Sequence, residues 1–243
     1  MSGGAPFPMA VIGLVLAAGA FAAPGGHVDR VSDDPQAIER ELRALREARA
    51  QDSSDPGLLI RLAALCLDLG EDVIRDSEQR RVAYEEGARL AQRALEIREA
   101  DAEAHYLYAA NLGSAAQLTG MMAAAFTVRT LKRHVTRALE LQPDHAPALH
   151  MMGMMLEELP WILGGDQPAA LQYLQRAVAA DPNYAHARFD LAKVYLKAQD
   201  RESARRELRA VIAMEHPRDR YAWSSRYLPD AKQLLAALDR DVF

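Results

Sequence analysis

One short spacing pattern recurs along this chain and constrains its fold more than any other feature. From Arg188 the sequence reads R-x2-L-A-x2-Y, from Leu149 it reads L-x2-M-G-x2-L, and from His105 it reads H-x2-Y-A-x2-L. A weaker copy begins near Leu59, and an apolar second segment follows each copy. Because one pair of such helices exposes an apolar stripe too wide to bury alone, neighbouring pairs must stack, which predicts a solenoid.

The composition favours helices throughout. Half of the 243 residues are hydrophobic but only 6% are aromatic, and alanine and leucine supply most of the hydrophobicity. Alanine, leucine, arginine and glutamate are strong helix formers, and the runs of Val, Ile, Thr and Tyr that are typical of strands are absent. We therefore predict an all-α protein.

The repeated pattern resembles the tetratricopeptide repeat, a helix–turn–helix unit of about 34 residues. That resemblance implies a helical-repeat solenoid, a right-handed superhelix of about four degenerate pairs bracketed by cap helices. We place the pairs at about 56–98, 102–142, 146–180 and 185–215, and the cap helices at 35–51 and 229–240.

The repeats differ in length, and the difference is systematic. The interval between the two small or β-branched packing positions of a pair is 19 residues from Ala192 to Val211 but 24 from Gly153 to Ala177. It grows to 29 and 31 residues in the two preceding pairs. Because the additional residues lie between the first and second helix of each pair, we expect them to thicken one edge of the solenoid. This edge, formed by segments 71–87, 113–130 and 158–166, is called the rim below.

The rim combines charged and apolar segments. Its second and third segments are apolar and belong to adjacent pairs, which brings Met121, Phe126, Trp161 and Ile162 together as candidate binding residues. One interpretation is that these residues form the core of extended helices. The other is an apolar pocket or docking patch. We expect an intermediate arrangement, with Ile162 or Leu163 pointing inward and Trp161 partly exposed beside Met121 and Phe126.

In the repeat family, the first helix of each pair lines a concave groove that binds a segment of another protein. Carried over by position, this resemblance implies a mixed apolar and charged groove. Its candidate residues are Tyr106, His150, Met154, Glu157, His186, Phe189 and Lys193. The function predicted by the resemblance is a scaffold that binds another protein through this groove and the rim.

Other classes of function are not supported by the sequence. The net charge of −5 and the pI near 5.8 argue against a nucleic-acid partner. There is no HExxH motif, phosphate-cradling glycine loop or G-x-S-x-G elbow, so we expect neither an enzyme nor a cofactor. His150 and Met154 could offer soft ligands to copper, but packing or an adaptable partner-binding surface explains this methionine-rich helix better, and no metal is predicted.

The N-terminus predicts export. Met9 to Ala23 is an uncharged apolar stretch too short to span a bilayer, and Ala20-Phe21-Ala22 offers a small-x-small cleavage site. We expect a signal peptide at 1–22, a flexible linker at 23–33, and a periplasmic or secreted protein with no stable membrane span after cleavage. The alternative is a disordered tail that is not cleaved.

A second resemblance gives an alternative function. The long second repeat and the LPWILGGD insertion resemble the T-component family of tripartite TRAP transporters. This resemblance implies a periplasmic solute- or lipid-binding component that works with a transporter or another envelope protein, and an apolar small ligand.

One further segment, Pro217 to Pro229, mixes three arginines with Tyr221, Trp223 and Tyr227. Guanidinium groups and aromatic rings together could bind an anionic partner. The alternative is a connector whose aromatic side chains attach the last cap helix to the last repeat.

Overall fold

The computed structural model describes residues 35–51 and 54–240, and within those ranges the chain forms helices and turns without a strand. The first half contains α1 (Pro35–Gln51), α2 (Pro56–Asp68), α3 (Ser77–Ile97), α4 (Ala102–Thr119) and α5 (Met121–Leu141). The second half contains α6 (Ala146–Glu158), α7 (Gln167–Ala180), α8 (Ala185–Lys197), α9 (Arg201–Ile212), α10 (Arg220–Ala222) and α11 (Leu228–Arg240).

The helices stack in sequence as four antiparallel pairs, α2 with α3, α4 with α5, α6 with α7 and α8 with α9. The second helix of each pair packs on the first helix of the next, α1 covers the first pair, and α11 packs on α9. The prediction of an all-α repeat solenoid is confirmed. The predicted signal peptide at 1–22 and linker at 23–33 lie outside the described residues and stay predictions.

Local sequence explains where several helices begin. The side chains of Asp76, Asp101, Asp166 and Asp200 each accept a hydrogen bond from the backbone N–H three residues later. Such N-caps satisfy donors that the helix itself leaves unpaired, and each typically contributes about 1 kcal/mol.

Small residues allow the helices to approach closely. Ala63, Ala109, Ala138, Ala177 and Ala192 are completely buried. A Cβ added to Gly153 of α6 would lie only 2.8 Å from the Cγ of Leu174 on α7, so this crossing requires glycine. The same periodic positions that identify the repeat are therefore the positions where helices cross.

The additional residues of the early repeats are mostly helical. They lengthen α3 and α5 to 21 residues each, whereas α9 has 12. In the first pair, α2 also continues as one π-helical turn, Leu69–Val73. In the third pair, they form a short 3-10 turn, Trp161–Leu163, which ends at Gly164 with a left-handed φ of 91°.

The chain after α9 crosses back over the concave side of the solenoid. This crossing segment, residues 217–227, contains α10 and a π-helical turn, Trp223–Tyr227. Arg226 near its end donates hydrogen bonds of 3.4 Å to the Glu71 carbonyl and to Asp72 Oδ1 in the first pair. The crossing segment therefore connects the last pair with the first across the groove.

In the described ranges no helix is long and apolar enough to cross a bilayer.

Candidate functional site

The concave groove contains a buried polar network formed by α6 and α8. His150 Nε2 lies 2.9 Å from Asp190 Oδ2, and His186 Nε2 lies 3.2 Å from the same oxygen. On the other carboxylate oxygen, Oδ1, Asp190 accepts a 3.0 Å hydrogen bond from Lys193. His186 and Asp190 are one helical turn apart, which places both on the same face of α8.

Burial decides the protonation of this network. Burial, followed by the neighbouring His150, lowers the pKa of His186 to about 4, so this ring is neutral at pH 7. Burial alone would raise the pKa of Asp190, but the facing His186 and His150 imidazoles hold it well below its usual range. Both histidines therefore present Nε2 to an ionised carboxylate.

The crossing segment covers this network. The Tyr227 ring stacks on His186 at a centroid distance of 4.8 Å and an interplanar angle of 25°, and it lies 6.0 Å from the ring of Phe189. At the start of the segment, the buried Arg218 forms a 2.9 Å ion pair with Asp181 and lies over the ring of Tyr184. The groove is therefore occupied by the chain's own residues.

The side chains of the predicted groove residues consequently differ in how exposed they are to a partner. Tyr106, His150, Met154, Glu157 and His186 are buried, Phe189 is half-buried, and only Lys193 is exposed. Their role in partner binding stays a prediction, and a partner could reach His186 only if the crossing segment moved. The aromatic residues of that segment anchor it internally, since Trp223 Nε1 donates a 2.8 Å hydrogen bond to the Val211 carbonyl.

His150, His186 and Asp190 are also the residues that could hold a metal ion, because their ligand atoms lie within 4.8 Å of one another. Two imidazoles and a carboxylate form a ligand set that suits zinc. Each Nε2 already has a hydrogen-bond partner in Asp190, and Arg226 adds positive charge near His186. The arrangement therefore fits a hydrogen-bonded network better than a cation site.

Because of this network, the free energy of unfolding should depend on pH, and the sign of that dependence follows from the pKa of His186. Since the pKa of His186 falls from the ordinary 6.5 to about 4 in the folded chain, the unfolded chain binds more protons between these values. The stabilisation is complete above pH 6.5 and is lost as the pH falls toward about 4, by about 3 kcal/mol. Urea unfolding across this range should show that slope, and His186→Gln should reduce it. The pKa of His134 is also lowered to about 4, mainly by burial, so only the difference between the two proteins reports His186.

The rim presents its apolar residues to solvent. Trp161 is 84% exposed, Ile162 68% and Leu163 51%, while Phe126 is 78% exposed. The expectation that Ile162 or Leu163 would point inward is wrong. Both lie on a three-residue 3-10 turn between Pro160 and Gly164, which is too short to reach the helix core. The interpretation of the rim residues as buried core is wrong, because Met121 and Phe126 on α5 are exposed as well, whereas exposure of Trp161 on the rim is confirmed.

A basic cleft of about 510 Å³ lies along α5 next to these residues. Its cations are Arg129, Lys132, Arg133 and Arg137, and its floor contains His105, whose Nδ1 lies 2.9 Å from His134 Nδ1. Two carboxylates, Glu99 and Glu140, also line the cleft, and both bind Arg137. Within the described ranges Arg129 and Lys132 have no ion-pair partner, so the cleft is electropositive.

A second cleft, of about 650 Å³, lies between α1 and the first pair. Its lining includes Glu39 and Glu47 together with Arg43 and Arg46, so its charges balance. It offers less selectivity for a charged ligand than the cleft on α5.

Sequence reasoning missed several residues of these sites. For the cleft, the available signal was that 121–139 contains four cations and no Asp or Glu. For the groove, the signal was the H-x3-D spacing of His186 and Asp190, which places an imidazole and a carboxylate on one helix face. Nothing in the sequence pattern indicated that Tyr227 would stack on His186.

Comparison with known protein families gives two matches that together cover most of the described chain. A family model described as regulator of microtubule dynamics protein 1-3 matches residues 27–159, more than half of the sequence. The chain belongs to this family. A tetratricopeptide repeat model matches residues 164–225, so the predicted resemblance to that repeat is confirmed.

Individual relatives support the assignment of this chain to the regulator of microtubule dynamics family. Regulator of microtubule dynamics protein 1 of Bos taurus is 31% identical over 170 residues, which cover 63% of this chain and 54% of the relative. The Mus musculus protein of the same name is 30% identical over 170 residues, covering 63% and 56%. The chain thus spans about half the length of the curated relatives it matches.

Among solved structures, a thermophilic TPR protein of Thermus thermophilus is similar in fold, with a TM-score of 0.58 and 14% identity. The similarity covers 83% of this family member and 90% of that protein. None of the relatives and structures named here is a transporter component, so the resemblance to the TRAP T-component family receives no support.

Proposed function

We propose that this chain is a non-catalytic TPR-like scaffold that binds an acidic segment of a partner protein in the basic cleft on α5. The names of its relatives make the microtubule the first partner to test. The observation that carries the proposal is the cleft itself, an open concave surface of about 510 Å³ with more cations than carboxylates.

The geometry of the cleft suits a chain of carboxylates. Arg129, Lys132 and Arg133 lie within four residues of one another on α5, and all three are exposed. Positions three and four residues apart share a helix face, so the three cations can bind successive acidic side chains. The Arg133 guanidinium is oriented by His134, whose Nε2 lies 3.3 Å from Arg133 Nη2.

The cleft is a better candidate than the concave groove. In the groove, the crossing segment already occupies the face where TPR-like proteins would be expected to bind a peptide, and it buries His150 and His186. Among the described residues no such segment covers the cleft on α5, and its Lys132 side chain reaches the turn that carries the exposed rim residues. A solute or lipid carrier needs an enclosed site for its ligand. The crossing segment fills the groove and both clefts described above are open surfaces, which argues against that alternative.

A non-catalytic role agrees with the arrangement of the titratable groups. His150 and His186 both face Asp190, all three side chains are buried, and the ring of Tyr227 covers His186, which leaves this network little access to a substrate. In the cleft, burial lowers the pKa of His134 to about 4, which makes it a weak base at neutral pH.

Co-sedimentation with polymerised microtubules tests the proposal. Reversing two charges with Arg129→Glu and Arg133→Glu should weaken binding by at least about tenfold, and binding of the wild type should decrease as salt increases. Arg209→Glu, which changes an exposed arginine on α9, is the matched control and should bind normally. Equal binding by all variants, or binding that salt does not affect, would contradict the assignment of the cleft.

A further inference from the structure

Exposed apolar side chains are concentrated in two segments of this molecule. Among the described residues, eight large hydrophobic side chains are exposed, and six of them lie in two rim segments of adjacent pairs. We define these six as the apolar tip: Met121, Met122, Phe126, Trp161, Ile162 and Leu163. Scattered exposed apolar residues need no explanation, but a cluster of this kind indicates a surface that binds something.

The side chain of Lys132 connects the two parts of the tip. A Cβ on Gly164, which directly follows the 3-10 turn, would lie 3.3 Å from Lys132 Nζ on α5. Lys132 is six residues from Phe126, or about 9 Å along the helix axis. The turn that carries Trp161, Ile162 and Leu163 therefore lies within reach of the Lys132 side chain, on the helix that carries Phe126.

The surroundings of the tip on α5 are positively charged, whereas Glu158 and Asp166 flank the 3-10 turn. From Met121 to Leu139, α5 contains no Asp or Glu, and its exposed face carries Arg129, Lys132 and Arg133. By helical spacing, Met122, Phe126, Arg129 and Arg133 recur at intervals of three or four residues, which places them on one face. Apolar side chains on one surface are thus bordered by cations.

We propose that the apolar tip and these cations dock the protein onto the surface of an anionic lipid bilayer. Trp161, Ile162, Leu163 and Phe126 would enter the boundary between headgroups and acyl chains, where tryptophan is favoured. Arg129 and Lys132 would remain at the depth of the anionic headgroups, which attract basic residues near the membrane. This docking is peripheral and needs no membrane-spanning helix.

Two features favour a bilayer over other occupants. The side chains of the turn project into solvent from a three-residue 3-10 turn, whereas sites that bind small ligands are concave. A second copy of the chain would place the same cations opposite one another across a two-fold axis, and this repulsion opposes self-association.

Vesicle binding by the full chain tests this proposal. Phosphatidylcholine vesicles that contain phosphatidylserine should bind the wild type, and pure phosphatidylcholine vesicles should bind it much more weakly. Trp161→Ala combined with Ile162→Ser should reduce partitioning by at least about tenfold. Arg129→Ala and Lys132→Ala should each reduce it by about fivefold.

Intrinsic fluorescence gives an independent readout. Emission should shift to the blue when anionic vesicles are added, and this shift should disappear in Trp161→Phe, in which Trp223 remains. Ile97→Ser and Arg209→Ala alter exposed residues away from the tip and should behave as the wild type. The tip variants should also melt as the wild type does, because the replaced side chains are exposed.

Three outcomes would overturn the proposal. They are a lack of binding to anionic vesicles, binding that the tip variants leave unchanged, and a dimer in sedimentation that Trp161→Ala dissociates. The last result would place a second copy on the tip. Since the vesicles contain no protein partner, failure here leaves microtubule binding by the cleft unaffected. Conversely, the apolar variants should keep that binding.

Discussion

Asp190→Ala is expected to destabilise the fold by about 3 kcal/mol or more, because it removes a buried carboxylate that joins α6 and α8 through several polar contacts. Asp190 is 3% exposed and accepts hydrogen bonds from His150, His186 and Lys193. Removing the shared acceptor of several buried hydrogen bonds is destabilising, since the imidazole N–H groups that remain are buried without an acceptor.

Urea unfolding of Asp190→Ala measures this loss, and two variants make the result specific. Asp230→Ala replaces an exposed aspartate of α11 and should change stability by no more than about 0.5 kcal/mol. Asp190→Asn keeps the shape and one acceptor oxygen, so its effect should be intermediate. A loss below about 1 kcal/mol in Asp190→Ala would mean that the histidines repack or that water replaces the carboxylate.

The repeat and its stacking could be predicted from sequence because they depend on local spacing. Two helices can cross closely only where side chains are small, so Ala109, Gly153 and Ala192 appear at regular positions. The N-caps were predictable for the same reason, since Asp101 and Asp166 act on N–H groups only three residues away.

The state of the groove could not be predicted in this way. Arg226 reaches Asp72 across a sequence separation of 154 residues, and that contact depends on how far the stacked pairs curve. Small changes in the angle between helices at each crossing add up along the solenoid, and no local sequence pattern predicts the resulting curvature. The composition of the crossing segment indicated aromatic anchoring, but it did not indicate that Tyr227 would cover His186.

Exposure of the rim could not be read from the sequence for a related reason. An apolar run such as Trp161 to Leu163 has the same sequence whether it is covered by a neighbouring helix or left in solvent. Whether the run is covered or exposed depends on the length of the turn relative to α5 and α7, which the repeat pattern does not specify. Its short 3-10 geometry places all three side chains outside the core.

Tyr227→Ala is expected to have the other large effect, a loss of about 3–5 kcal/mol, the range typical of a buried aromatic side chain replaced by alanine. Tyr227 is 6% exposed and stacks on His186, and its neighbour Arg226 reaches the first pair. Without the ring, the crossing segment loses its main attachment to α8. The groove should then open to solvent while the helix pairs remain stacked.

Hydrogen exchange read by mass spectrometry can separate that local opening from general destabilisation. In Tyr227→Ala, protection should fall first in residues 217–227 and then on the groove faces of α6 and α8, before α5 is affected. Tyr221→Ala, which changes a half-buried tyrosine of the same segment, should leave the groove protected. Uniform loss of protection along the chain would show that the crossing segment is part of the stacking itself. Selective loss would instead show that a partner needs to displace only this segment to reach His150 and His186, as the sequence-predicted groove would require.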